Sequence, residues 1–540
     1  MRPTATKSAN RAPRRAAAAM VAMGILLSRI AGLVRDRFFA HFLATTDAAD
    51  AYRAAFKIPN FLQNLFGEGV LSASFIPVYA KLRAQERHRE AAAVAEAVFS
   101  LIFLVTTLIV AFGVATTPWF IDAIAPGFHG EKRQLTIRLV RILFPGTGLL
   151  VFSAWCLGIL NSHRKFFLSY AAPVIWNLAI ISSFYWKRGL APFSLVTLVA
   201  WGAVLGSGLQ FGVQLPVVLR LLRPLRGQLE LRSPHVGDVV RNFFPVFVSR
   251  GVVQISAYVD QLIASFLPTG AVAALGYAQN LNSLPVSLFG MSVSAAELPA
   301  MSSALGSPEE VAQVLRTRLA RGLEQIAFFV VPSAMAFLVL GDVLVATIYK
   351  TGIFGHSDVV FVWRVLAGSA VGLLASTSGR LYSSAFYALR DTRTPLRFAV
   401  IRVALTVGMG YLCALPLPRW LGIDRLWGAA GLTLSAGIAG WVEFALLRRG
   451  LQRRIGKVDY PVGRLARLWG AALVAAACGV AIKLMLPKLP AHSALNAYYA
   501  ILTGVCVLIP YGAVYLFLAK LLGVGTAMEG VLRRFWPVRG

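Results

Sequence analysis

Arg29, Arg35, Asp36, Asp50, Arg53, Lys57 and Glu68 lie in two otherwise apolar stretches between Ser28 and Pro77. The planar guanidinium fork makes paired, charge-assisted hydrogen bonds to phosphate oxygens, and a nearby carboxylate can hold such a fork in place. The chemistry open to these residues is therefore recognition of an anion. At about 100° per residue, Arg29 and Asp36 share a face of a first helix and Arg35 stands at its margin. On a second helix Asp50, Arg53 and Lys57 follow an i, i+3, i+7 spacing, and Glu68 lies three turns further along that face. Gln63 stands between them. Further charges interrupt apolar runs later in the chain: Arg250 and Asp260, Glu297, then Arg364, Arg380 and Arg402. One reading is a purely structural ion-pair network, with Asp36 paired to Arg29 and Asp50 to Arg53. The other is the wall of a cavity. The excess of cations over acids favours the cavity, with a phosphate or pyrophosphate as its ligand, although Arg380 is equally consistent with snorkelling.

Other chemistries find no residues to carry them. HExxH, a Walker A loop, a GxSxG elbow and GxGxxG after a strand are all missing, so no catalytic residue is assigned. The seven His have no metal-ligand spacing, so no metal is expected. His163 and His235 fall in expected loops and read as solvated. Cys156, Cys413, Cys478 and Cys506 lie far apart in apolar runs and read as small buried hydrophobes. The net charge of +30 would suit nucleic acid, but the basic residues come in short clusters between apolar runs. That distribution fits anionic lipid headgroups and excludes a nucleic-acid surface.

The elements that must position these charges are membrane helices. The chain has 540 residues, 57% hydrophobic and only 14% charged, with a mean hydropathy of +0.67. A soluble domain carries roughly 25% charged residues. The pattern predicts an all-α, polytopic membrane protein of fourteen spans. Its expected parts are a basic cytoplasmic tail (1–16), a first six-helix lobe (17–222), a second (236–447), two extra helices (464–520) and a second basic cytoplasmic tail (521–540). With both termini cytoplasmic, about 33 Lys and Arg fall on the cytoplasmic side against about 9 on the other, as the positive-inside rule requires. The two lobes are expected from a repeat. Leu65-Phe66-Gly67 with Ser72-Ala73 and Pro77 returns as Leu288-Phe289-Gly290 with Ser294-Ala295 and Pro299. A weaker echo links Asn161–Lys165 with Arg390–Arg393. Two lobes of the same topology are a transporter architecture, with the substrate bound where they meet. GxxxG pairs at Gly202/Gly206, Gly208/Gly212 and Gly368/Gly372 predict close helix packing.

The runs S-R-I-A-G-L-V-R-D (Ser28–Asp36), F-K-I-P-N (Phe56–Asn60), F-x-E-G (Phe66–Gly69) and S-x-x-F-I-P (Ser72–Pro77) resemble the bacterial lipid II flippases of the MurJ (MviN) family, in the MOP exporter superfamily. The likeness continues through A-P-G-F (Ala125–Phe128), G-x-L-N (Gly158–Asn161) and Thr394-Pro395. It implies export of a lipid-linked peptidoglycan precursor across the bacterial plasma membrane by alternating access. It also implies a substrate-binding set of Arg29, Arg35, Asp36, Asp50, Lys57 and Glu68, with the last two helices flanking the polyprenyl tail. Arg250 joins that set from the facing wall, and Arg53, Gln63, Asp260 and Asn280 are secondary candidates. The chain departs from the pattern twice: Gln63 and Asn280 (in Tyr277-Ala278-Gln279-Asn280-Leu281) stand where many members have arginine. Alternatives that stay open are another lipid-linked oligosaccharide as cargo, a cation-coupled exporter of the same superfamily, and a non-transporting envelope-assembly scaffold. Lipid II, membrane lipids and the cell-wall synthesis machinery are the expected partners. No cofactor is expected; a coupling cation or the membrane potential is left open as the driving force.

Overall fold

The computed structural model describes residues 11–66, 68–186, 189–222, 234–304, 306–458, 462–487 and 496–524. Side chains at 11–22, 58–59, 64–66, 68–70, 72–73, 242, 244–257 and 496–497 fall outside that description. The expected basic tails lie largely outside it too, at 1–10 and 525–540. Among the described residues the chain is helical throughout, without a strand. Two compact units divide it, Met1–Leu262 and Ile263–Gly540.

The first unit holds α1 (Arg11–Leu43), α2 (Asp47–Phe66), α3 (Glu68–Ala84), α4 (His88–Ile124), α5 (Gly130–Ser162), α6 (Phe166–Trp186), α7 (Pro192–Leu221) and most of α8 (Pro234–Ser265). The central rod is α5. In its most apolar stretch 83% of residues are buried, against 22% for α4. Around it pack α2, α3, α4 and α7, and α6 joins α7 to α1. The outer helices turn large apolar side chains outward, among them Phe103, Leu104, Leu108, Phe112 and Trp119. A surface like that is stable only against lipid.

In the second unit come α9 (Ala271–Pro285), a π-helical turn (Val286–Met291), α10 (Ser292–Ser302), α11 (Pro308–Val339), α12 (Gly341–Tyr349), α13 (His356–Val371), α14 (Leu373–Ala388), α15 (Arg393–Ala414), α16 (Pro416–Trp420) and α17 (Trp427–Ile455). Then follow α18 (Val462–Met485) and α19 (Asn496–Leu521). Here α17 is central, packed by α13, α14 and α15. The pair α18–α19 packs on α11 and α12, tied there by ion pairs Arg464–Glu324 and Lys483–Asp342. Pro332 lacks an N–H and so leaves the Phe328 carbonyl of α11 without its helical donor. The Tyr515 hydroxyl of α19 donates to that carbonyl at 2.6 Å.

Ten helical segments are long and apolar enough to cross a membrane among the described residues, and α13 with α14, bent by 42°, makes an eleventh. The other three expected spans coincide with α1, α2–α3 and α8. Those three carry Arg29, Arg35, Asp36, Asp50, Arg53, Lys57, Glu68, Arg250 and Asp260.

In the second copy of the repeat the helix widens into the π turn at Val286–Met291; Gly67, the matching position of the first copy, lies outside the described residues. The loops of the weaker echo end their helices alike. Arg164 and Arg390 both adopt a left-handed φ of +59°. Lys165 N–H donates to Leu160 O and Asp391 N–H to Phe386 O, each at 2.9 Å. That is a Schellman-type ending, built twice without glycine.

The GxxxG pairs differ in their use. A Cβ at Gly202 would lie 2.7 Å from Ser183 Cβ, and one at Gly206 would lie 2.9 Å from Trp176 O, so this pair presses α7 onto α6. Gly372 meets Gly437 at the α13–α17 crossing. Gly212 faces open space, so Gly208/Gly212 is not a packing pair.

Candidate functional site

In the first unit, α1 and α2 bring two guanidiniums onto one carboxylate. Asp36 on α1 is buried, at 6% exposure. Its Oδ1 accepts from Arg35 at 3.1 Å and lies 3.5 Å from the Arg53 guanidinium of α2. The side chains of Arg35 and Arg53 keep 22% and 18% of their surface exposed. Each guanidinium also rests near an aromatic face: Arg35 5.2 Å from the Trp176 ring of α6, and Arg53 4.7 Å from Phe39. Phe39 contacts Tyr52, Tyr52 stacks on Phe56, and Phe56 meets Trp176, with ring centres 5.1 to 5.8 Å apart. The arginines therefore sit in an aromatic-walled recess with one shared acid and a net charge of about +1 for the trio.

The sequence folds this way for local reasons. Gly206 allows α6 to approach α7 closely enough for the Trp176 indole N–H to donate to Ala203 O at 3.1 Å. That bond fixes the ring that backs Arg35. One turn before Arg53 on α2, Asp50 is 1% exposed and holds Lys132 of α5 at 2.6 Å. Lys132 also reaches Asp47 at 2.8 Å and lies 4.4 Å from the Phe128 ring. This cluster sets the rotation of α2 against α5, and so the direction of Arg53.

The pairing read as structural from spacing alone, Asp36 with Arg29 and Asp50 with Arg53, is not the one formed. Arg29 is exposed, about 10 Å along the axis from Asp36, too far for direct pairing at i, i+7. Arg35, placed at the margin of the seam, is in it. Arg53 turns to Asp36 because Lys132 occupies Asp50. Lys57 is half-buried; its carbonyl accepts from the Tyr258 hydroxyl of α8 at 2.9 Å, and Asp260 acts electrostatically on its ammonium. Gln63 is half-buried further along α2. Asn280 belongs to the second unit, half-buried on α9. The side chains of Glu68 and Arg250 lie outside the described residues.

The second unit's charges have local partners. Arg364 lies 4.5 Å from the Trp427 ring, Glu297 meets Arg318 at 3.5 Å, and Arg402 meets Glu443 at 3.4 Å with Arg380 nearby. His163 is not simply solvated: its Nε2 shares a hydrogen bond with Tyr79 at 2.9 Å. Burial, with Arg83 and other cations beside it, pushes its pKa down to about 4. His235 lies 3.5 Å from Glu90.

Sequence reasoning missed Lys132, Asp47 and the aromatic wall of Phe39, Tyr52, Phe56 and Trp176. Asp47 carried a signal, since it stands three residues before Asp50. The aromatics carried none, being common in any apolar helix.

Comparison with known proteins agrees with this architecture. The family model described as "Lipid II flippase MurJ" matches residues 39–522. The lipid II flippase MurJ of Burkholderia cenocepacia is 32% identical over 465 residues, covering 84% of this chain and 86% of its own. A probable lipid II flippase MurJ of Rhizobium meliloti is 31% identical over 531 residues, covering 96% and 95%. A solved MurJ in an inward closed conformation shares the fold with a TM-score of 0.74 at 22% identity, over 93% of this chain and 99% of its own. Two MATE transporter structures of the MOP superfamily, one inward-facing and one outward-facing, share it over 81% of this chain with TM-scores of 0.62 and 0.52. They cover 98% and 96% of their own chains, at 16% and 18% identity. This chain belongs to the MurJ family of lipid II flippases.

Proposed function

We propose that this protein moves lipid II from the inner to the outer leaflet of the bacterial plasma membrane by alternating access. Family membership supports the cargo. The observation that carries the chemistry is the carboxylate of Asp36 shared between Arg35 and Arg53 against an aromatic wall.

One acid orients two guanidiniums and neutralises only one of them. A diphosphate oxygen then meets donors already held in place, so little ordering is needed on binding. The aromatic rings limit water access, which strengthens the attraction. Arg29, two turns away and exposed, is a second contact for the extended headgroup, and Lys57 with Asp260 a third. The neighbouring fold recorded facing both inward and outward supports release by a change of access. The basic clusters support both termini in the cytoplasm. The α18–α19 pair is the proposed flank for the polyprenyl tail, and the membrane potential or a coupling cation is the proposed driving force.

Arg35→Ala and Arg29→Ala variants, expressed in a bacterium depleted of its own flippase, test the assignment. Both are expected to reach the membrane and fail to support growth. Full rescue by both would remove these residues from the binding site.

A further inference from the structure

On the opposite side of α5 lies a second cationic feature, unconnected with the recess above. Gln134, Arg138, Arg141 and Pro145 line an open cleft of about 450 Å³ together with Trp201 of α7. Arg141 is nine residues past Lys132, half a turn around the helix at about 100° per residue. Lys132 holds α2, so the cleft points away from α2 and its charges. Both arginines are exposed, and neither makes an ion pair or side-chain hydrogen bond among the described residues.

Depth identifies the surroundings. The 33 residues of α5 span about 50 Å, against a hydrocarbon core of about 30 Å, which leaves roughly 10 Å of helix beyond the core at each end. Arg138 and Arg141 lie about 12 and 17 Å from the start of α5. Helix α6 returns the chain between them, so α7 starts on the same membrane face, and Trp201 lies about 14 Å along it. The cleft is thus at the boundary of one leaflet, where Trp sits at headgroup level and the paired forks of arginine match a lipid phosphate. Two unpartnered guanidiniums at that depth are costly without a counter-anion.

We propose that Arg138 and Arg141, with Trp201 as the flanking wall, bind the phosphate of an anionic phospholipid. The two forks take the phosphate oxygens, Gln134 offers a further donor, and the acyl chains run along the exposed Leu205 and Leu209 of α7.

The full-length protein in nanodiscs of equal phosphatidylglycerol and phosphatidylcholine, released into the gas phase for native mass spectrometry, tests this. The unaltered protein is expected to retain phosphatidylglycerol in preference to phosphatidylcholine. The Arg138→Ala/Arg141→Ala pair is expected to lose that lipid by at least tenfold, and Arg138→Lys/Arg141→Lys to fall between the two. If the alanine pair does not elute as a single species, the lysine pair decides, by reduced retention for the proposal or unchanged retention against it. Equal retention of both lipids by the unaltered protein, or undiminished retention by the folded alanine pair, overturns the proposal. So does displacement of the lipid by millimolar inorganic pyrophosphate, which would mark a site for a soluble diphosphate.

Discussion

Removing the Asp36 carboxylate leaves Arg35 and Arg53 facing each other without the acid they share. The two contacts, at 3.1 and 3.5 Å, are each worth about 5 kcal/mol of gross Coulomb attraction at an effective dielectric of about 20. Desolvation offsets most of that in the intact trio, but loss of one partner from a buried pair costs about 3–5 kcal/mol. Asp36→Ala is therefore expected to lower the melting temperature of the detergent-purified protein by about 6–10 °C, taking about 2 °C per kcal/mol for a unit of this size. Thermal unfolding followed by tryptophan fluorescence reads this directly. Adding Arg53→Met is expected to recover at least half of the loss, because the remaining Arg35 can turn its exposed portion to solvent. That double variant should still fail to transport, since one of the paired forks is gone. A melting temperature for Asp36→Ala within a degree of the parent would refute the shared-carboxylate geometry. So would a double variant no more stable than Asp36→Ala.

Four further outcomes follow from the packing and the loops. Gly206→Val places side-chain atoms where a Cβ alone would be 2.9 Å from Trp176 O, so it should reduce both folded yield and transport. Gly212→Ala, facing open space, should change stability by less than about 0.5 kcal/mol in the same melting assay. Tyr515→Phe strands the Phe328 carbonyl and should cost about 1–3 kcal/mol, read as a lower melting temperature with α18–α19 loosened in hydrogen exchange. The pKa of His163 lies near 4, below its ordinary 6.5, so the folded state disfavours its protonation. The stability tied to the neutral ring is present above about pH 6.5 and is lost as pH falls towards 4. His163→Gln should flatten the fall in melting temperature across that window.

The helical class, the membrane setting and the residues of the charged recess were legible because they rest on composition and one-dimensional spacing. Fourteen expected spans find helices, and the three that miss the apolar test are those bearing the charges. What spacing could not supply was the rotation of one helix against another. Arg53 is three residues from Asp50, the spacing of a helical ion pair. Lys132, which takes that partner, is some eighty residues away on α5. Trp176 backs Arg35 only because Gly206 lets α6 and α7 meet closely, a three-body arrangement with no periodic signature. The expected interruptions of the second span are at Pro59 and at Gly67; α2 runs through Pro59 without ending, and Gly67 lies outside the described residues.

The central claim is that this chain exports lipid II using the Arg35–Asp36–Arg53 recess. It is tested most directly by the fraction of cellular lipid II open to an impermeant cleaving enzyme, in cells depleted of their own flippase. Expression of the unaltered chain should restore that fraction, and Arg35→Ala, at equal membrane abundance, should leave it at the depleted level. Lipid II that stays protected with the unaltered chain, or becomes exposed with Arg35→Ala, would contradict the account.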